Sequence, residues 1–215
     1  VLTRDVNRIR RAKRIDEIVI ATTTRQEDDL IASLCEEEGW HCFRGSENDL
    51  LDRYYQAVRA FEANVIVRIT SDCPMIDPEI IDKVIEVFLD LKEKVDYVSN
   101  TLPPRTFPRG LDVEVMAFAA LERAWREDNN PALREHVTPY IYRNPGKFRL
   151  HRVANDVDLS HHRWTLDTPE DLLFIRTVYE YFGNDYFTWR EALRYLEQHP
   201  EIVKINSDIK QKAIE

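Results

Sequence analysis

Residues 65–78, VIVRITSDCPMIDP, decide the fold. The first half of this stretch is almost entirely β-branched, a pattern typical of a strand buried on both faces of a parallel sheet. The apolar run stops at Ser71 and Asp72, and an amphipathic helix is predicted to follow. Ligands of open α/β sheets bind beyond the carboxyl ends of the strands, so Asp72 is a candidate to hold a metal ion or a metal-bound phosphate. The alternative is that Asp72 only turns the chain, and that Ser71 or Asp77 caps the helix.

The composition limits the class of protein. The chain has 215 residues, of which 43% are hydrophobic and 32% charged, as in a soluble globular protein with one sizeable core. No apolar run reaches the length of a membrane helix and no signal peptide pattern opens the chain, so we expect a cytoplasmic protein without a membrane partner. Three cysteines without metal-ligand spacing fit reduced thiols. A net charge of −9 argues against a nucleic-acid binder but leaves room for a local nucleotide pocket.

Strands and helices are predicted to alternate up to Lys94. Strands are predicted at 15–21, 40–43 and 65–70, each followed by a helix. This alternation favours right-handed crossovers and a largely parallel sheet with helices on both faces. Thr22 lies at the end of the first strand, where its hydroxyl either caps the next helix or contacts a ligand. Ser46 is the predicted N-cap of the third helix.

A long polar loop interrupts this alternation. Residues 100–109 contain three prolines and two arginines, Arg105 and Arg109, and are followed by Gly110. A loop of this length inside a compact domain indicates a substrate-binding segment. Residues 112–116 then alternate between polar and apolar, as expected of a half-exposed strand.

The last third of the chain is predicted to contain more helix than strand. Pro131 opens a helix that reaches about residue 143 and carries Glu135 and His136. These two side chains could form an acid/base pair, but adjacent helical residues face different directions, which favours a structural role. Short strands are predicted at 163–166 and 202–205.

A second carboxylate follows the predicted strand 163–166. Asp167 precedes a helix that Pro169 opens, and either Asp167 or Thr168 is the predicted N-cap. Two carboxylates from separate strands can hold Mg²⁺ against a nucleotide phosphate, because this ion prefers oxygen ligands. The alternative is that Asp72 and Asp167 are both helix caps, and their spacing alone does not decide between the two.

Five motifs, spread over about residues 6–183, give the sequence its specificity. They are RGS at 44–46 with LDRY at 51–54, RITSDCPMIDP at 68–78, FPRGLDVE at 107–114, REHVTPY at 134–140 and WTLDTPEDL at 164–172. In this order they resemble the nucleotide-sugar cytidylyltransferases, in particular the branch named for spore coat polysaccharide biosynthesis protein F, which is related to acylneuraminate and 3-deoxy-manno-octulosonate cytidylyltransferases.

The resemblance implies a single α/β domain over residues 1–215. Its fold would be the three-layer nucleotide-diphospho-sugar transferase (GT-A-like) fold with a mostly parallel mixed sheet. The reaction would transfer CMP from CTP to a sugar or sugar acid and release pyrophosphate, for surface or spore coat polysaccharide. The resemblance also suggests a homodimer.

The resemblance further implies a Mg²⁺ ion between the CTP phosphates and two carboxylates, Asp72 and Asp167. Arg68 is predicted to face the nucleotide and to act with them in catalysis. The residues predicted to bind substrate are Thr22, Ser71, Arg109, Gly110, Asp112 and Glu114.

One departure from the family concerns the first residues. Such enzymes open with a central strand and a loop rich in Gly, Ser, Arg and Lys that wraps the triphosphate, and this sequence lacks both. We expect that the sequence is part of a longer chain, because loss of a central strand would leave neighbouring backbone groups unpaired. The alternatives are a non-catalytic sugar- or nucleotide-binding module, and a GT-A glycosyltransferase. The latter would use an Asp-x-Asp motif, whose spacing occurs only at 156–158, without a buried strand before it.

Overall fold

The computed structural model describes residues 1–91 and 93–210. These residues contain ten α-helices, one short 3-10 helix (Gln26–Asp28) and six strands. The helices are α1 (Leu2–Ile9), α2 (Asp29–Glu38), α3 (Leu50–Ala60), α4 (Pro78–Leu91), α5 (Phe118–Glu127), α6 (Pro131–Arg134), α7 (Pro139–Tyr142), α8 (Pro169–Phe182), α9 (Trp189–Gln198) and α10 (Pro200–Val203). The strands are β1 (Val19–Thr23), β2 (His41–Gly45), β3 (Val65–Arg68), β4 (Tyr97–Ser99), β5 (Glu114–Ala117) and β6 (Leu150–Arg152).

The strands form two sheets. β1 and β2 pair in parallel, and the larger sheet has the order β3-β5-β4-β6. β5 is antiparallel to both of its neighbours, whereas β4 and β6 are parallel. Three strands of the larger sheet therefore run in one direction and only β5 runs in the other. This confirms the predicted mixed, mostly parallel α/β sheet.

Helices cover both faces of the larger sheet. Val98 and Val115 face one core, which α4, α8 and α9 complete, whereas Tyr97 and Met116 face a second core completed by α3 and α5. Adjacent residues of a strand point to opposite faces, so β4 and β5 contribute to both cores. The result is the predicted three-layer arrangement. A smaller cluster around Val6, Cys35 and Trp40 lies beside β1 and β2.

Two strand predictions differ from the structure in burial. β3 was predicted to be buried on both faces, but it forms an edge of the described sheet and Val65 is 38% exposed. β5 was predicted to be half-exposed, and this is wrong, because it lies in the middle of the sheet with Glu114, Val115 and Met116 buried. The alternation of polar and apolar residues gave the wrong prediction for β5, because the polar Glu114 has its hydrogen-bond partners inside the protein.

The last third of the chain holds most of the errors. The helix predicted over 131–143 is broken into α6 and α7, since Val137 has a φ of 65° and Pro139 opens a new helix. The strand predicted at 163–166 is reduced to one bridge between Arg109 and Arg163. The segment 202–205 is not a strand, because Pro200 begins α10 there.

The predicted helix caps were correct in part. Thr168 caps α8 in a capping box with Asp171, as one of the two alternatives predicted. Ser46 was the wrong N-cap for α3: the cap is Asp49, whose side chain accepts the Asp52 amide at 2.8 Å. In the described part of the chain, no helix is both long and apolar enough to cross a membrane.

Candidate active site

The turn that carries Asp72 contacts the segment that carries Asp167, although 95 positions separate the two residues in the chain. The amide of Leu166 donates to the carbonyl oxygen of Asp72 at 2.9 Å, which ties the turn after β3 to the segment before α8. The carboxylate of Asp72 is half-buried, and its one hydrogen bond within the described residues is a 3.6 Å contact from the Cys73 thiol. The carboxylate oxygens of Asp72 can therefore still accept nearly all of their possible hydrogen bonds.

Neither aspartate caps a helix. Asp77 carries out that function for α4, because its Oδ1 accepts the Glu79 amide at 2.9 Å and its Oδ2 accepts the Trp189 amide at 2.7 Å. Thr168 caps α8. The structure thus removes the alternative that Asp72 and Asp167 serve only as caps. The Asp167 side chain is 48% exposed, and its Oδ2 accepts a bond from Arg163 Nη2 at 2.6 Å.

The loop before β5 is held by Asp112 and Asn100. Arg105 forms a bidentate pair with Asp112 at 2.6 and 2.8 Å. Burial lowers the pKa of Arg105, but the hydrogen bond and charge of Asp112 outweigh burial and raise that pKa overall. Asn100 accepts the Val113 amide at 2.9 Å and donates to the Leu111 carbonyl at 2.6 Å. These bonds give residues 105–112 a fixed conformation.

Gly110 brings this loop against the segment that carries Asp167. Its φ is +97°, and a Cβ placed there would lie 2.5 Å from the carbonyl oxygen of Trp164. On either side, the Arg109 amide donates to His162 at 3.0 Å, and the Trp164 amide donates to Arg109 at 2.8 Å. Only glycine allows this approach without a shift of the backbone.

Arg109 is the arginine of this region without an acidic partner in hydrogen-bond range among the described residues. Arg105 is neutralised by Asp112, and Arg163 is paired with Asp167 and Asp171. Burial and then the charge of Arg105 lower the pKa of the half-buried Arg109. An anion bound beside Arg109 would act against both effects, because a nearby negative charge raises the pKa of a guanidinium.

Arg68 is held by a buried network. Its Nη1 donates to Glu114 Oε2 at 2.7 Å, and Glu114 Oε1 accepts bonds from Tyr97 Oη at 2.9 Å and Thr138 Oγ1 at 3.0 Å. Burial acts to lower the pKa of Arg68, but the charge of Glu114 outweighs it and raises that pKa overall. The Nε of Arg68 is buried without a partner in the described structure. Both oxygens of Glu114 are used inside the protein, so the geometry favours a role in holding Arg68 over the predicted contact with a substrate.

Cys73 follows Asp72 in the turn after β3 and is 1% exposed. Its thiol donates to Asp72 Oδ1 at 3.6 Å and contacts the Thr70 hydroxyl at 3.4 Å. Burial, and then the charges of Asp72 and Asp112, raise the pKa of the Cys73 thiol well above its usual range. Backbone hydrogen bonds join the segment before α8 to the turn after β3 and to the loop 105–112.

A buried carboxyl group that the sequence did not indicate lies on α1. Asp5 of α1 is 2% exposed, and its oxygens have no hydrogen-bond partner in the described residues. Burial, reinforced by the charge of Asp72, raises the pKa of Asp5 to about 8.

Two predicted residues lie apart from this cluster or at its surface. Thr22, on β1, is 6% exposed and donates from Oγ1 to Asp28 at 2.8 Å, which favours a role in the local turn. Ser71 is exposed in the turn next to Asp72.

Sequence reasoning assigned no role to four residues that position the cluster. Asn100 and Arg105 lie in the loop that was predicted to bind substrate, and Thr138 lies in the motif REHVTPY. Their partners are distant in sequence or lie across a loop, so no local pattern predicts these bonds. Arg163 did leave a signal, since it precedes Asp167 by four residues and Asp171 by eight, and it bonds both.

The donor set suits a hard cation that also binds phosphate. Within residues 1–91 and 93–210, no group of three or more His, Cys, Asp or Glu side chains is arranged to hold a metal ion. Mg²⁺ commonly takes one or two carboxylates and completes its shell with water and substrate phosphates. The nearly unpaired carboxylate of Asp72 and the half-exposed carboxylate of Asp167, on two segments joined by a backbone bond, are compatible with this pattern.

Comparison with known proteins places the chain in a family. The family model described as Cytidylyltransferase matches residues 2–209. The chain is 39% identical over 210 residues to the uncharacterized protein MJ1063 of Methanocaldococcus jannaschii, covering 97% of this chain and 84% of the relative. It is 30% identical over 187 residues to the spore coat polysaccharide biosynthesis protein SpsF of Bacillus subtilis, covering 83% of this chain and 75% of the relative.

Solved structures show the same relationship. A cytidylyltransferase from Leptospira borgpetersenii serovar Hardjo-bovis is similar with a TM-score of 0.91 and 31% identity, over 99% of this chain and 87% of that one. A CMP:2-keto-3-deoxy-manno-octonic acid synthetase complexed with CTP shares the fold, with a TM-score of 0.60 and 15% identity over 83% of this chain and 87% of that one. Since the family model spans nearly the whole chain and two relatives reach 30% identity or more, the protein belongs to the cytidylyltransferase family.

Proposed function

We propose that the protein transfers the cytidylyl group of CTP to a hydroxyl of a sugar acid and releases pyrophosphate. The observation that carries this proposal is the backbone bond from Leu166 to Asp72, which brings the turn that carries Asp72 against the segment that carries Asp167. The names of two similar proteins, one concerned with polysaccharide and one with an octonic acid and CTP, support the substrate class. A homodimer in the cytoplasm is part of the proposal.

The reaction needs positioning and charge neutralisation more than covalent help. The acceptor oxygen attacks the α-phosphorus of CTP, and the bond from that phosphorus to the oxygen shared with the β-phosphate breaks. Asp72 and Asp167 would hold Mg²⁺, which neutralises phosphate charge when bound. Arg68, with unused N–H donors, would bind the nucleotide phosphates.

Arg109 is proposed to bind the carboxylate of the acceptor. It lies between two arginines that are already neutralised, and a bidentate guanidinium–carboxylate pair would use its free donors. Gly110 and Asp112, on the same loop, would shape the acceptor pocket around it.

Release of pyrophosphate from CTP, measured over a panel of acidic and neutral sugars with and without Mg²⁺, tests the proposal. Asp72→Asn and Asp167→Asn should each lower kcat/KM by roughly 100-fold or more. Asp158→Asn is the matched control and should have no effect, because Asp158 is exposed in the loop that holds the Asp-x-Asp spacing. Full activity of either site variant would remove that aspartate from the proposed metal site. Binding of CTP without turnover would indicate a binding module.

A second pair of variants tests the acceptor class. Arg109→Gln should raise the KM for an acidic acceptor by about 10- to 100-fold, the equivalent of a lost bond between charged groups. Arg176→Gln, an exposed arginine on α8, should leave that KM unchanged. An unchanged acceptor KM in Arg109→Gln would contradict the assignment of Arg109.

A further inference from the structure

The motif REHVTPY at 134–140 has no part in the function described so far, although the structure gives it unusual geometry. Its first residue anchors it: Arg134 Nε donates to Asp49, the N-cap of α3, at 2.8 Å. Arg134 Nη1 also donates to the carbonyls of Trp125 at 2.9 Å and Asp128 at 2.8 Å. The segment between α6 and α7 is thus fixed at one end to two other helices.

A strained turn follows this anchor. The Thr138 amide donates to the His136 carbonyl at 2.8 Å, which closes a three-residue γ-turn around Val137. Val137 has a φ of 65° and is 1% exposed. A β-branched residue rarely adopts this conformation, and such strain persists only where the surroundings over-determine it. The turn directs the Thr138 side chain into the protein.

The Thr138 hydroxyl ends a chain of buried bonds that leads to Arg68. It donates to Glu114 Oε1 at 3.0 Å, and the same oxygen accepts a bond from Tyr97 Oη at 2.9 Å. Two donors on Oε1 fix the plane of the carboxylate, so Oε2 is held at 2.7 Å from Arg68 Nη1. Thr138 is 2% exposed and Glu114 is 6% exposed, so water does not replace these bonds.

We infer that Thr138 is a positioning residue for the reaction. Through Glu114 it orients Arg68 so that the remaining N–H donors of the guanidinium face the phosphates of the nucleotide. The inference rests on the proposed function, because Arg68 must contact substrate for its orientation to matter. The inference also explains the strained turn, since a relaxed backbone at Val137 would move the Thr138 hydroxyl away from Glu114.

Two substitutions at Thr138 test the inference. Thr138→Val keeps the shape of the side chain and removes the hydroxyl, so kcat with CTP should fall about 10- to 100-fold while the KM for the acceptor stays within about twofold. Thr138→Ser keeps the hydroxyl and should retain kcat within about threefold. Thr177→Val is the matched control, because among the described residues the Thr177 hydroxyl donates only to the Leu173 carbonyl of its own helix, α8. Its kcat should equal that of the wild type.

A partner variant separates positioning from stability. Tyr97→Phe removes the other donor to Glu114 Oε1, so it should lower kcat as well, and the double variant should lose less than the product of the two single losses. Urea unfolding of each variant checks that the fall in kcat exceeds any fall in the folded fraction. Full kcat in Thr138→Val, an equal loss in Thr138→Ser, or a loss explained by unfolding alone would overturn the inference.

The design distinguishes this inference from the proposed function. A wild type that turns over CTP while Thr138→Val does so equally well overturns only the role of Thr138. A wild type without turnover contradicts the proposed function, and calorimetry with inorganic tripolyphosphate then decides the role of Thr138 separately. Thr138→Val should bind tripolyphosphate at least about 10-fold more weakly than the wild type. Equal binding, or no binding by the wild type, would overturn the inference.

Discussion

Gly110 carries the tightest steric constraint of the site. Gly110→Ala would place a Cβ 2.5 Å from the Trp164 carbonyl oxygen at a φ of +97°. We expect a loss of about 2–4 kcal/mol in the free energy of unfolding, together with reduced activity, because relief of the clash must move either Arg109 or Asp167. Urea unfolding measures the loss. Gly146→Ala is the control and should change stability by less than about 1 kcal/mol, since no atom lies within 4 Å of its Cβ position. Equal stability of the two variants would show that the loop is free to move.

His162 makes stability depend on pH. Burial, and then the charge of His161, lower the pKa of the 8% exposed His162 to about 4. Between pH 6.5 and pH 4 the unfolded chain binds a proton here and the folded chain does not, so stability falls as the pH falls through this window. The loss amounts to about 3 kcal/mol for a shift of this size.

The variant His162→Phe keeps an aromatic ring and cannot bind a proton. Relative to the wild type, its unfolding free energy should rise by about 3 kcal/mol between pH 7 and pH 4. His151→Gln, a substitution of an exposed histidine on β6, should follow the wild-type curve. Parallel pH profiles for the wild type and His162→Phe would show that another group causes the acid sensitivity.

At the scale of elements, α1 is fastened to the rest of the protein by one buried side chain. Arg8 is fully buried, and its guanidinium donates to the carbonyls of Ile76 at 2.6 Å, Asp185 at 2.8 Å and Phe187 at 2.9 Å. Arg8→Leu would remove the buried donor to these carbonyls and the cation 3.9 Å from the buried Asp77, so we expect a loss of about 3–5 kcal/mol in unfolding free energy.

A comparison of Arg8→Leu with a substitution of an exposed arginine, Arg14, tests whether burial causes the loss of stability. Arg14 pairs with Glu86, and both side chains are about half exposed, at 53% and 51%. Arg14→Leu should therefore lose less than about 1 kcal/mol. Thermal and urea unfolding of both variants give the comparison, and similar losses would mean that α1 is held by its apolar face instead.

The helices and strands also show which features of the fold can be predicted from local sequence patterns. The alternation of helices and strands up to α4, and the caps at Thr168 and Asp77, could be predicted, because each depends on a few neighbouring residues. The approach of the segments that carry Asp72 and Asp167 could also be expected, because both were placed at strand ends. The burial of β5 could not, since Glu114 looks like a surface residue until Arg68 and Tyr97 are placed beside it. The break between α6 and α7 depends on the same network, which residues distant in sequence form.

At the scale of the whole molecule, the site joins parts of the chain that fold onto one sheet. Backbone hydrogen bonds connect the segment before α8 to the turn after β3 and to the loop before β5. Each of the two large cores lies against one face of this sheet. The rigid packing of these cores therefore keeps the charged groups of the site in position. A reaction that depends on alignment requires such fixed positions.

The two sheets pack on apolar cores of different size, and amide hydrogen exchange should show this difference. The sheet of β1 and β2 packs on a cluster with three fully buried residues, Val6, Cys35 and Trp40, whereas β5 lies between two large cores. Regions with few buried apolar contacts open with lower free energies than the core. We expect amides of β2 to exchange roughly 100-fold faster than those of β5, which corresponds to an opening free energy about 3 kcal/mol lower.

Mass spectrometry of peptides that cover His41–Gly45 and Glu114–Ala117 measures both rates in one experiment. Trp40→Phe should accelerate exchange in β2 further and leave β5 unchanged, because the Trp40 ring packs in the small cluster only. Equal protection of the two strands, or a Trp40→Phe effect that extends to β5, would mean that both sheets unfold as one cooperative unit and that the small cluster is no weaker than the large cores.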